Sequence, residues 1–237
     1  VPRILVIVPA LNESGSIQRV VRSIQEHVPS ADVVVVNDGS NDDTAPLARA
    51  AGAVVLDMPY NVGIGAAVQT GFIYAAQHGY DVAVQTDGDG QHPAQEIPRL
   101  VDALAANNAD VVIGSRFIDP ARPGYQQTAA RRVGGEILAR ILSMTTGQRI
   151  TDPTSGFRAS NRRALLLCAQ LYPHDYPEPE AIIILHRAGL RLCEIAVQMS
   201  PRETGVSSIT FLRGGYYMTK VILAILINLL RAPALSS

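Results

Sequence analysis

The sequence predicts an α/β domain, a mostly parallel sheet flanked by helices, and three observations carry that reading. Short β-branched apolar runs alternate with amphipathic stretches through the first half of the chain. The connections between them are short, as right-handed strand–helix–strand crossovers require. Polar turns follow three of the runs, where a parallel sheet takes its ligands, beyond the carboxyl ends of the strands. At 237 residues with 47% apolar content, the chain can bury one large core.

Ile4–Val8, Val33–Val36, Ala53–Leu56, Asp81–Thr86 and Asp110–Gly114 read as buried strands, continuous in apolar character as a sheet covered on both faces demands. Between the first two, Ile17, Val20, Val21, Ile24 and Val28 fall on one stripe of a helix of about four turns. The next helix can be capped by Asp42 or Asp43 and stops at Gly52. Another runs from about Gly65 to His78 and ends at Gly79. Tyr216–Leu230 is apolar except for Thr219, Lys220 and Asn228. A helix needs about 20 apolar residues to cross a membrane, so this segment suits an interfacial or subunit-contact helix, anchored by Arg213, Tyr216, Tyr217 and Arg231. A core helix packed on the sheet is the alternative. The expected division is residues 1–212 as one domain and 213–237 as this helix.

The net charge of −1 argues against a general nucleic-acid binder but hides an asymmetry. Residues 1–112 carry 13 Asp and Glu against 5 Arg and Lys; residues 113–237 carry 8 acids against 15 bases, all Arg but Lys220. Arginine presents a planar fork of donors suited to phosphate, although codon bias would also replace lysine throughout. Cys168 and Cys193 sit in apolar surroundings without metal-ligand spacing, as free thiols of a reducing compartment do, with a disulfide still open. No repeat, low-complexity tract or signal-peptide pattern is seen, and the missing initiator Met is expected of a trimmed or engineered start.

The turn Thr86-Asp87-Gly88-Asp89-Gly90-Gln91-His92-Pro93 puts two carboxylates at the open end of a strand. Hard oxygen ligands at this spacing suit Mg²⁺ or Mn²⁺, ions that keep positions open for water or substrate phosphates. Pro9-Ala10-Leu11-Asn12-Glu13 follows the first strand and Asn37-Asp38-Gly39-Ser40 the second. Each alone reads as a turn with a helix cap; three on one sheet edge make one site. The first loop lacks G-x-G-x-x-G, and no G-x-x-x-x-G-K-[ST] occurs, so dinucleotide and P-loop sites are disfavoured.

The segments VIVPALNE, VVNDGSNDDT, NVGIGAAVQTG, QTDGDGQHP, GSRF and DPTSGFRA, over roughly residues 1–210, resemble the family 2 glycosyltransferases of the GT-A (Rossmann-like) fold. Within them the chain looks most like the polyprenyl-phosphate glycosyltransferases, relatives of dolichol-phosphate mannose synthase. The resemblance implies an inverting, metal-dependent transfer of a sugar from a UDP- or GDP-sugar to a lipid phosphate. It would act peripherally on the cytoplasmic face of the membrane, or in the cytoplasm, as a possible homo-oligomer. By resemblance, Pro9, Leu11, Glu13 and Asp38 frame the base and ribose pocket, with Asp38 favoured for the base. Asp87, Asp89 and Gln91 match the metal and diphosphate positions, with Asp89 the favoured ligand. Arg116 matches a basic residue near the donor phosphates, a surface salt bridge being the plain alternative.

Arg131 and Arg132 open a segment with Val133, Ile137, Leu138, Ile141 and Leu142 that resembles the family's acceptor-side helix. Asp152 falls in D-x-x-S-G-F-R, under the family's active site. Of Glu178 and Glu180, Glu180 matches the acidic position better. Arg202, with Gly205, Ser207 and Ser208, matches a loop that closes over both substrates. A phosphate monoester acceptor is already anionic and has little need of a base; a hydroxyl acceptor, the competing reading, would make Asp152 or Glu180 the base. A non-catalytic nucleotide-sugar-binding subunit is the other alternative. Many relatives have Gly-Lys-Gly where this chain has Gly63-Ile64-Gly65, which leans towards UDP.

Overall fold

The computed structural model describes residues 2–119, 129–175 and 177–200, with Lys220 and Leu223; for residues 129–131 it describes the backbone alone. β1 (Ile4–Ala10), α1 (Ile17–His27), β2 (Ala31–Asn37), α2 (Thr44–Ala50), β3 (Val54–Asp57) and α3 (Ile64–Gln77) lead to β4 (Val82–Gln85). A single 3₁₀ turn, α4 (Ile97–Ala106), β5 (Val111–Ser115), α5 (Ala129–Thr146), β6 (Arg158–Asn161), α6 (Arg162–Gln170), α7 (Pro177–Arg187) and β7 (Leu192–Ala196) follow. The sheet runs β3-β2-β1-β4-β6-β5-β7. The β1–β2, β1–β4, β2–β3 and β5–β7 pairs are parallel, and β6 lies antiparallel between β4 and β5.

The two-residue period of β1 divides the core. Ile4, Val6, Val8 and Ala10 pack in the layer that holds Ile17, Val21 and Ile24 of α1 and Ile97 and Leu100 of α4. Leu5 and Ile7 face the other layer, with Val68 and Phe72 of α3, Leu138 and Leu142 of α5, Leu165 of α6 and Ile182 of α7. The stripe expected on α1 is buried at Ile17, Val20, Val21 and Ile24. Its neighbour α2 is capped by Asp42, whose carboxylate accepts from the Thr44 N–H at 3.0 Å; Asp43 occupies the cap position without a side-chain bond.

Three expectations are corrected. β3 is an edge strand rather than one covered on both faces, and Val54 is 44% exposed. β6 and β7 complete the sheet from segments that lack a continuous apolar run. On α5, Leu138 and Leu142 are buried whereas Val133 and Ile137 face solvent, so the apolar stripe is split between core and surface. The C-terminal helix proposed over Tyr216–Leu230, with its anchors, lies outside the described residues except for Lys220 and Leu223, both helical. No helix among the described residues is long and apolar enough to cross a membrane.

Candidate active site

The turns after β1, β2 and β4 meet at one sheet edge and are laced together by their own polar groups. Asn12 N–H donates to Ser40 Oγ at 2.9 Å, Asn41 N–H to Asn12 Oδ1 at 2.9 Å, and Glu13 N–H to Thr44 Oγ1 at 2.8 Å. Buried Ser16 donates to the Gly88 carbonyl at 2.8 Å and lies 3.1 Å from Glu13 Oε2, which joins the first turn to the carboxylate turn. Gly88 is needed for that approach. A Cβ there would sit 3.2 Å from the Pro9 carbonyl and 3.3 Å from Ala10 Cβ. Pro9 is buried in β1 as a floor, Leu11 is exposed at the rim, and Glu13 is half-buried.

Asp38, expected at the base pocket, also anchors a loop. Its buried carboxylate accepts from the Val62 N–H at 2.7 Å and the Gly63 N–H at 3.1 Å, so it anchors the loop leading into α3. Gly39 beside it has φ +73°, and a Cβ would come within 2.7 Å of the Tyr60–Asn61 backbone. The base-contact role would have to share these committed oxygens.

His92 staples the carboxylate turn. Its Nδ1 accepts from the Asp87 N–H at 3.0 Å, its Nε2 lies 3.6 Å from Asp87 Oδ2, and its ring stacks on Phe157 with centroids 4.8 Å apart. Burial is the main force lowering the imidazole pKa to about 4; the Asp89 carboxylate opposes it, the Arg116 guanidinium adds to it, and Asp152 opposes it. Asp89 is buried, and its Oδ1 accepts the Gln91 N–H at 3.0 Å. No group of three or more His, Cys, Asp or Glu side chains able to hold a metal occurs among the described residues. The oxygen-bearing side chains this turn offers are the Asp87 and Asp89 carboxylates and the Gln91 amide. That set fits a hard divalent ion whose remaining positions go to water and phosphate.

Arg116 follows β5 and is gripped by Asp152. Its Nε donates to Asp152 Oδ2 and its Nη2 to Oδ1, both at 2.7 Å, its backbone N–H donates to Oδ2 at 3.1 Å, and Thr154 Oγ1 accepts from Nη2 at 2.9 Å. Asp152 is fully buried. The surface-salt-bridge alternative for Arg116 is thus replaced by a buried bidentate pair. Three Arg116 donors occupy this carboxylate, and a base acting on a hydroxyl acceptor would have to compete with them.

Glu178 approaches the carboxylate turn. A Cβ on Gly156 would lie 3.4 Å from Asp87 Oδ1 and 3.8 Å from Glu178 Oε1, so the two carboxylates share that space. Burial raises the Glu178 pKa against the pull of Arg158, which donates from Nη2 to the Glu178 carbonyl at 2.8 Å. Glu180 is half-buried, two residues on in the first turn of α7. Beneath this region Tyr172 donates to Gln85 Oε1 at 3.1 Å.

Of the acceptor-side residues, Arg132 is exposed on α5, 3.9 Å from Glu136; the Arg131 side chain and Arg202 lie outside the described residues. Ser200, the last described residue of that segment, donates its N–H to the Gln91 carbonyl at 2.9 Å. Sequence reasoning gave no role to Ser16, His92 and Glu194, and placed Arg158 only as the end of the D-x-x-S-G-F-R motif. Of the first three only His92 carried a signal, its place in the Asp-Gly-Asp-Gly-Gln-His turn.

A mixed sheet with carboxylate turns gathered on its ligand edge defines the GT-A class of α/β fold. The glycosyl transferase family 2 model matches residues 5–166, and the chain belongs to that family. It is similar to an undecaprenyl-phosphate mannosyltransferase of Micrococcus luteus, 32% identical over 218 residues and 88% of each chain. It is also similar to a polyprenol monophosphomannose synthase of Mycolicibacterium smegmatis, 31% identical over 88% of this chain and 81% of the other. Glucosyl-3-phosphoglycerate synthase of Mycobacterium tuberculosis, solved with Mn²⁺, UDP and phosphoglyceric acid, has the same fold (TM-score 0.75, 23% identity, 98% of this chain and 80% of that one).

Proposed function

We propose that the protein transfers one sugar, with inversion, from a UDP- or GDP-sugar to a polyprenyl phosphate at the cytoplasmic face of the membrane. The observation that carries this reading is that Asp89 of the carboxylate turn and Arg116, held by the buried Asp152 carboxylate, both act on the His92 ring and so lie in one site. The names of the relatives from Micrococcus and Mycolicibacterium support the lipid-phosphate acceptor.

In this reading Pro9, Leu11 and Glu13 hold the nucleoside, and Asp38 fixes the loop beside it. Asp89, with Asp87 and Gln91, would hold Mg²⁺ or Mn²⁺, an ion that when bound would supply positive charge against the leaving nucleoside diphosphate. Arg116 supplies fixed positive charge to the same diphosphate. Glu178, beside Asp87, lies where a donor sugar hydroxyl can be oriented. Arg131, Arg132 and Arg202 meet the acceptor phosphate, whose own oxygen is the nucleophile. The bond from the anomeric carbon to the diphosphate breaks as the bond to the acceptor oxygen forms, so no base is needed and positioning dominates.

The test is a transfer assay with radiolabelled UDP- and GDP-sugars, Mg²⁺ or Mn²⁺, and a short polyprenyl phosphate, followed by organic extraction. Label in the organic phase that disappears with EDTA is the expected result. Donor turnover without organic label would move the acceptor to a hydroxyl, and no turnover at all would leave a nucleotide-sugar-binding subunit.

A further inference from the structure

Glu194 sits on β7, at the far edge of the sheet from the first two polar turns, yet it determines the geometry beneath Arg116. β7 runs parallel to β5, with Glu194 opposite Ile113, two residues before Ser115. From there the carboxylate reaches the turn between α5 and β6. Oε2 accepts from the Thr151 N–H at 2.8 Å and from Thr151 Oγ1 at 2.7 Å, and Oε1 accepts from the Asp152 N–H at 3.0 Å. One side chain thus clasps two consecutive backbone amides. Thr151 Oγ1 is further tied to Ser115 Oγ at 2.6 Å, immediately before Arg116.

We propose that Glu194 is a positioning residue for the donor diphosphate, acting through Asp152 on Arg116. The inference rests on the reading that Arg116 meets that diphosphate. Asp152 is gripped on both sides: its amide by Glu194, its carboxylate by the Arg116 guanidinium. A neutral Gln at position 194 presents one carbonyl and one NH₂. The NH₂ must then face a backbone N–H, donor against donor, and one of the two amides loses its acceptor. The Thr151–Asp152 backbone shifts, and the Asp152 carboxylate that aims the guanidinium shifts with it. A displacement of this size matters because a bidentate arginine contact is directional.

The test measures affinity for UDP and for GDP in the presence of Mn²⁺ by calorimetry, on the full chain, with uridine and guanosine as controls without the diphosphate. Glu194→Gln is expected to weaken binding of the preferred diphosphate three- to tenfold and to leave its nucleoside unchanged. Arg116→Ala is expected to weaken it at least tenfold. If Glu194 acts through Arg116, the double variant binds no worse than Arg116→Ala alone, since residues that act as a unit are non-additive. Unchanged affinity in Glu194→Gln, or losses that multiply in the double variant, would overturn the inference. Unchanged affinity in Arg116→Ala would instead overturn the diphosphate role of Arg116. Glu194→Asp keeps the charge but is one methylene too short to span both amides. It serves if the Gln variant does not fold, with the same loss expected and wild-type affinity counting against the proposal.

Discussion

His92 provides a direct measure of how firmly the carboxylate turn is held. The folded protein keeps this imidazole neutral down to about pH 4, chiefly because it is buried, whereas an unfolded chain takes up the proton near its ordinary value of 6.5. A folded pKa below the unfolded one means that the contribution of His92 is complete above pH 6.5 and is lost as the pH falls from there towards 4. With those two values, the unfolded state gains roughly 2 kcal/mol relative to the folded state by pH 5. His92→Gln retains an oxygen able to accept the Asp87 N–H but takes up no proton. It forfeits the stack on Phe157, so the variant should be less stable at pH 7.5 by about 1–3 kcal/mol. Urea unfolding of both proteins at pH 7.5 and pH 5, without divalent ions, should show that difference shrinking by roughly 2 kcal/mol at the lower pH. Both lose stability in acid for other reasons, and the comparison cancels them. A difference that stays constant between the two pH values would refute the picture of a neutral, buried staple.

Two further outcomes are expected. Asp89→Ala should abolish metal-stimulated turnover, a loss of about a hundredfold or more; full metal-stimulated activity in this variant would show that the donor site has been placed wrongly. Gly71→Ala should lower the thermal midpoint, because a Cβ on this α3 residue would sit 2.3 Å from Ile7 Cγ2 on β1. Overpacking of about 1–3 kcal/mol outweighs the roughly 1 kcal/mol that alanine brings to a helix, and a raised midpoint in differential scanning calorimetry would contradict this.

How much of this was legible depended on the range of the interactions involved. β1, β2, β4 and β5 announce themselves because a strand buried on both faces must be apolar throughout. β6 is Arg158-Ala159-Ser160-Asn161, and its polar side chains find partners from elsewhere in the fold: Arg158 bonds through Nε and Nη2 to the carbonyls of Ser155 and Glu178, leaving only its buried Nη1 unpaired, and Asn161 bonds to Asp110. No local pattern encodes such a strand. The carboxylate turn was legible because its residues are adjacent. The placement of Glu178 beside Asp87 was not, since it turns on the angular phase of α7 about its own axis, which residue spacing leaves open. The loop-anchoring bonds of Asp38 were hidden for a related reason. Its partners, Val62 and Gly63, lie more than twenty positions away, and a carboxylate at a strand end looks the same whether it awaits a ligand or holds a loop. Glu194 is the extreme case, bonding to a turn some forty residues earlier in the chain.

The parallel pairing of β7 with β5 carries a consequence for biosynthesis. The strands that bear the Asp87–Asp89 turn are complete once the ribosome has passed β4, but β7 enters only after another hundred residues, as the last described strand of the sheet. A nascent chain halted before Leu192 would expose its acidic turn with nothing yet to brace the Thr151–Asp152 backbone. The amino-terminal half would hold its own apolar layers, while the pocket waited for its final structural member. Chain order alone thus delivers the brace for the Thr151–Asp152 backbone after the strands that carry the acidic turn.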